Sequence, residues 1–160
     1  MHRILLLASL LSTACTAEKL TPRAASAPTP PANAPVQALA HIPSAPGSDY
    51  PFSPGVKAGG MLYLSGQLGT DSTGKLVRGG VQAETRQAIA NIRALLEANG
   101  SSLAKVVKCT AMLADIKEWP AMNEVYTAEF PKPYPARSAF AGSGLALGAR
   151  VELECMAVAE

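Results

Sequence analysis

Val151-Glu-Leu-Glu-Cys-Met-Ala-Val158 alternates apolar and polar residues with a period of two. That period sets Val151, Leu153, Cys155 and Ala157 on one side of a strand and Glu152, Glu154 and Met156 on the other. A second run, Val106-Val-Lys-Cys-Thr-Ala-Met-Leu-Ala114, reads as another strand, with Val107, Cys109, Ala111 and Leu113 on its apolar face. Between the two lies Tyr134-Pro135-Ala136-Arg137-Ser138, a proline-bearing turn that opens a third strand through Ala141. Gly142-Ser-Gly144 and Gly148 bound an irregular turn before Val151.

Two helices accompany these strands, one before Val106 and one between Ala114 and Tyr134. The first runs from Val81 to Asn99 after Gly79-Gly80. Ala88, Ile89, Ile92, Leu95 and Leu96 make its apolar stripe, and Gln82, Glu84, Arg86, Arg93 and Glu97 its polar side. The second starts at Trp119 with Pro120 in its first turn, where a missing N–H costs nothing. Its stripe is Met122, Val125, Tyr126 and Phe130, and Pro131 and Pro133 end it. Farther upstream, His41-Ile-Pro reads as a short edge strand. Met61 to Leu68 reads as a longer one, with Leu62, Leu64 and Leu68 inward and Met61, Tyr63, Ser65 and Gln67 outward. Asp71-Ser-Thr-Gly74 turns the chain and Lys75 to Val77 returns it. The order strands, helix, strand, helix, two strands predicts an α+β domain with both helices on one face of a mixed sheet. The other face carries Ser65, Thr110, Met112 and Glu152. It is too polar for a core and too apolar to stand bare, which predicts cover by another subunit.

The chain has 160 residues, 48% of them hydrophobic and 16% charged, enough apolar material for one packed domain with additions. A net charge of +2 without a basic run argues against nucleic acid as a partner. Cysteines occur at 15, 109 and 155, with no CxxC and no histidine cluster, so no metal site is expected. Cys109 reads as a small core hydrophobe, and whether it pairs with Cys155 stays open at this level.

The N-terminus has a different texture. Met1-His2-Arg3 precedes the apolar run Ile4 to Leu11, which fits a secretory leader and is too short to span a bilayer. Ser12-Thr13-Ala14-Cys15 fits lipoprotein processing, with residues 1–14 removed and Cys15 lipidated; plain cleavage after Ala14 or Ala17 fits as well. Residues 15–40 hold Pro22, Pro28, Pro30, Pro31 and Pro35 and read as a disordered tether. The domain is assigned to 41–160. The expected location is outside the cytoplasm, in the periplasm on a membrane anchor.

A guanidinium is a permanently charged fork that matches a carboxylate with two parallel hydrogen bonds. Arg137 is the candidate for that role, and Glu152, fifteen residues on, is the candidate carboxylate to position a water.

Tyr63-Leu-Ser-Gly-Gln-Leu-Gly69, Gly79-Gly80-Val81, Asn91-Ile92, Val106-Val-Lys108, Leu113-Ala-Asp-Ile116, Met122-Asn-Glu-Val-Tyr126, Pro135-Ala-Arg-Ser138 and Val151-Glu-Leu-Glu154 occur in the order and spacing of one family. Over roughly Pro51 to Val158 the chain resembles the RidA family of enamine/imine deaminases. The resemblance implies a chorismate-mutase-like fold, a homotrimer, and ligand clefts between subunits. It implies hydrolysis of 2-imino or enamino acids to 2-keto acids and ammonia without a cofactor. Arg137 would clamp the substrate carboxylate and Glu152 would orient the water, with Ser65, Phe52, Asn123 and Ala139 lining the site. Phe52 stands where many members have tyrosine, and Ala139 where many have cysteine. A second expectation is a trimeric small-carboxylate binder that uses the same cleft without turnover. RNA cleavage, attributed to some relatives, is disfavoured by the weak charge and few aromatics.

Overall fold

The computed structural model describes residues 39–159. The leader, Cys15 and most of the tether lie outside the described residues. A seven-stranded sheet is built from β1 (Ala40–His41), β2 (Gly55–Ala58), β3 (Met61–Leu64), β4 (Gln67–Leu68), β5 (Val106–Leu113), β6 (Ala136–Ala141) and β7 (Val151–Val158). The strand order is β1-β2-β3-β7-β5-β6, with β4 also paired to β7. Only β5 and β6 run parallel. A parallel neighbour demands a crossover, and α2 (Trp119–Glu129) supplies it. The longer helix, α1 (Gly80–Glu97), joins β4 to β5 across the same face. This is the α+β architecture expected from the residue order.

The core lies between that face and the helices. Leu62, Leu64, Cys109, Ala111, Leu113, Val151, Leu153, Cys155 and Ala157 meet Ala88, Ile89, Ile92 and Leu96 of α1 and Met122 and Tyr126 of α2. Each fully buried aliphatic side chain here contributes about 1.5–3 kcal/mol through removal from water. Cys109 and Cys155 are directly opposite in the β5–β7 register, and their sulfurs are bonded. Both residues are fully buried, so the link joins the two central strands inside the core.

Three details differ from the sequence reading. The Met61–Leu68 strand breaks at Ser65-Gly66, so β3 and β4 pair separately with β7, and Leu68, expected inward, pairs with Glu152 on the other face. Val107 is exposed and Val106 is buried in its place, because a register shift between Val106 and Lys108 inserts one residue. Glu84, assigned to the polar side of α1, is buried. Its carboxylate accepts a hydrogen bond from the Arg150 backbone N–H at 2.7 Å, which secures the start of β7. An isolated sequence shows the helical period of Glu84 but not the amide that reaches it.

Close packing of α1 on the sheet depends on a missing side chain. A Cβ on Gly69 would lie 2.5 Å from the Glu84 Cα. Asn91 then ties the helix to the same segment, donating to the Leu68 and Thr70 carbonyls at 3.0 Å each. The Asp71 turn closes through its own carboxylate, which accepts from the Thr73 N–H at 2.8 Å and the Thr73 hydroxyl at 2.7 Å. The Thr73 contacts hold the Asp71 carboxyl below the usual range, with Lys75 adding to the effect.

Candidate functional site

The sheet geometry decides where each candidate points. Arg137 pairs with Cys109, and Ala139 pairs with Ala111, both buried on the helix side. Arg137 therefore rises toward α2, whose first two turns present Trp119, Asn123 and Tyr126 at positions i, i+4 and i+7 on one face. The guanidinium lies 4.5 Å from the Tyr126 ring centroid and 5.7 Å from that of Trp119. Its Nη2 donates to Asn123 Oδ1 at 2.8 Å. Every one of these partners is neutral. Among the described residues no carboxylate forms an ion pair with Arg137, so its charge stays available. Aromatic faces hold a guanidinium without neutralising it.

Arg137 also lines two depressions. One is an open groove of about 530 Å³ between Ile116, Lys117, Trp119, Pro120, Arg137 and Ala139. The other, of about 170 Å³, lies toward Tyr134 and Pro135. Tyr126, between the arginine and the core, is almost fully buried, and its hydroxyl has no partner among the described residues. Burial pushes that phenol up to about 12, against the pull of Arg137. The wall of the groove is fixed from behind, because Glu118 holds Arg150 through Nη2 at 2.6 Å and Nε at 2.8 Å.

Glu152 belongs to the opposite face. It pairs with Met112 and Leu68, and its neighbours there are half-buried Thr110, Met112, Glu154 and Met156. The strand β5 lies between β6 and β7, so one chain does not bring Arg137 and Glu152 together. The fifteen-residue spacing places them on nearby strands of one sheet but on different sides of it. Glu152 lies against Gly66: a Cβ there would overlap its carboxylate. No hydrogen bond or ion pair engages that carboxylate among the described residues. Burial raises the Glu152 pKa above the ordinary carboxylate value, and Glu154 raises it further.

Ser65 stands beside Gly66. Its hydroxyl donates to the Ser53 carbonyl at 2.7 Å, and its N–H donates to the Pro54 carbonyl at 3.0 Å. Phe52, one residue before Ser53, is exposed and stacks on Tyr50 with ring centroids 5.2 Å apart. The residues thus fall into two half-sites. One is Arg137, Asn123 and Ala139 with Trp119 and Tyr126; the other is Glu152, Gly66 and Ser65 beside the Phe52–Ser53 loop. Trp119 and Tyr126 were read only as helix start and core stripe. Their spacing with Asn123 was the available signal for the arginine slot. No group of three His, Cys, Asp or Glu among the described residues could hold a metal ion.

Residues 42–159 match the family model described as endoribonuclease L-PSP. The chain is 42% identical to the 2-iminobutanoate/2-iminopropanoate deaminase of Capra hircus over 124 residues, covering 77% of this chain and 90% of that protein. The fold is similar to the crystal structure of RidA from the Antarctic bacterium Psychrobacter, with a TM-score of 0.69, 38% identity and coverage of 74% and 98%. It is also similar to E. coli TdcF with bound serine, with a TM-score of 0.68, 31% identity and coverage of 76% and 99%.

Proposed function

Because the chain belongs to the endoribonuclease L-PSP family, which includes the RidA deaminases, we propose that it hydrolyses reactive 2-imino acids to 2-keto acids and ammonia. The observation that carries this reading is the unneutralised Arg137 fork facing an open groove. Serine bound to TdcF, and the imino-acid names of the relatives, supply the matching chemistry: a small molecule with a carboxylate beside a carbon–nitrogen bond.

Arg137 grips the carboxylate, and Asn123 and the two rings keep the guanidinium from turning away. That anchor fixes C2 of the imine beside a water, a gain in proximity and orientation. Glu152 accepts the water's proton as the oxygen bonds to C2 and the C=N pair moves onto nitrogen, and it then returns that proton to the nitrogen. Collapse of the carbinolamine sends its hydroxyl proton to the nitrogen by way of Glu152, forms the C=O bond and breaks the C–N bond, releasing ammonia. Water is the only co-reactant, and no electrons leave the substrate.

The two half-sites lie on different faces of one chain, so this chemistry requires Arg137 from one copy and Glu152 from another. We therefore read the protein as a trimer with clefts between subunits, whose semi-polar open face is covered on assembly. The sequence of the leader supports export, and Cys15 is the proposed lipid anchor with residues 15–40 as tether. The Cys109–Cys155 link fits that placement, since such bonds persist in oxidising compartments. A carboxylate-binding protein without turnover is the second reading, favoured by Phe52 in place of a hydroxyl.

Imine decay catalysed by the purified protein and by Arg137→Ala tests the assignment. Loss of catalysis in the variant is expected; an unchanged rate would end the reading. Glu152→Gln separates enzyme from binder, because only an enzyme loses turnover while retaining ligand.

A further inference from the structure

The groove beside Arg137 continues past the carboxylate clamp, and its lining there is mainly apolar. Ile116 and Trp119 are large apolar residues, 54% and 39% exposed, and they share the groove with Pro120 and Ala139. Lys117 is the one other charged group of the lining and is itself exposed, which sets it at the solvent rim. Besides these two cations the only hydrogen-bonding group among the lining side chains is the Trp119 indole N–H, a donor, and no lining side chain is an acceptor. A ligand whose carboxylate meets Arg137 therefore runs the rest of its body along an apolar wall.

We propose that this groove selects 2-imino acids with bulky apolar side chains, of leucine to phenylalanine size, and that Trp119 is the specificity-determining residue. The inference rests on the deaminase reading. On one chain the open groove of about 530 Å³ has room for a branched or aromatic side chain beside the clamped carboxylate. A three-carbon imino acid would leave the Trp119 and Ile116 surfaces wet. A branched or aromatic side chain would cover them, and removing apolar area from water drives such binding. A polar side chain would lose hydrogen bonds to water and meet only the Trp119 N–H and the rim ammonium of Lys117 in return.

The wall is also rigid enough to discriminate. Trp119 opens α2 with Pro120 fixing the backbone beside it. The preceding turn is held by the Asp115 carboxylate, which accepts from the Lys117 N–H at 2.9 Å, and by Glu118 on Arg150. The Trp119 ring is moreover within 5.7 Å of the Arg137 guanidinium, so clamp and wall have a fixed relation.

The test measures kcat/KM of the full chain for imines generated from alanine, leucine, phenylalanine and aspartate by an amino-acid oxidase. The leucine and phenylalanine imines should exceed the alanine imine by roughly ten-fold or more, the discrimination typical of added apolar groups in a hydrophobic pocket. In Trp119→Ala and in Ile116→Ser, the phenylalanine-to-alanine ratio should fall toward one; a ratio cancels general damage to the protein. Equal values across the series, or an aspartate imine in first place through Lys117, would overturn the proposal. Calorimetric binding of phenylpyruvate and pyruvate is the second arm. If no imine is turned over, the deaminase reading fails, and tighter binding of phenylpyruvate that is lost in Trp119→Ala would still uphold the apolar selectivity. Equal binding of the two keto acids would sink it.

Discussion

Arg137 and Glu152 stand on opposite faces of one sheet, with β5 between their strands. A site that uses both must draw them from different copies. Equal amounts of Arg137→Ala and Glu152→Gln chains, unfolded and reassembled together, should then regain activity that neither has alone. Random assortment in a closed ring leaves about one quarter of the clefts intact. Imine hydrolysis measured before and after mixing checks this, and no recovery would mean that both groups act within one subunit.

Glu152 has an uncompensated, partly desolvated carboxylate, so its effects on catalysis and on stability oppose one another. Its folded pKa is raised, so the protonated form favours folding. That contribution is fully present below the unfolded carboxylate value and is lost as pH rises through the folded value. Glu152→Gln should therefore melt above the parent at pH 7, and the gap should close as the pH falls toward the acid range. Turnover should drop by about 10²–10⁴ in the same variant, the usual cost of losing a general base. In the parent, the rate should decline as acid protonates Glu152. Thermal melts and rate profiles across pH read both effects.

The Tyr126 hydroxyl is buried without a partner among the described residues, while its ring supports Arg137. Tyr126→Phe should leave stability unchanged or raise it by about 1 kcal/mol, because the desolvated hydroxyl makes no return. Tyr126→Leu removes the aromatic face and should raise KM several-fold through loss of the cation–π support, with kcat less affected. Urea denaturation and steady-state kinetics on the two variants separate the ring from the hydroxyl.

The bond between Cys109 and Cys155 predicts a single linked peptide pair in an unreduced digest of the oxidised protein. Replacing both cysteines by alanine should lower stability by about 2–4 kcal/mol, typical for a disulfide closing a loop of this order. Two free thiols at these positions in the unfolded, unreduced chain would contradict the link.

The layout of strands and helices was legible because period-two and period-3.6 patterns are local properties of the chain. Val151–Val158 and the α1 stripe needed no knowledge of their partners. The failures have non-local causes. Val107 was placed inside because a one-residue bulge leaves no mark in composition. Glu84 was placed outside because its partner is a backbone amide 66 residues away. Cys109 and Cys155 fell on inward faces of their strands, but only the strand order makes those strands neighbours. The same holds at the site. Arg137 and Glu152 were found by side-chain chemistry and resemblance, yet their separation by the sheet follows from topology. Trp119 and Tyr126 were visible as residues and invisible as a slot, since the ion they hold comes from another element.

The Cys109–Cys155 bond has one more effect. Its ring contains α2, β6 and the exposed turn from Gly142 to Gly148, so a protease cutting that turn would sever the backbone without freeing either piece. Both Arg137 and Glu152 would stay in one covalent molecule after the cut. The nicked protein should run as a single band on an unreduced gel and as two after reduction, and it should keep its fold as long as the bond stays closed.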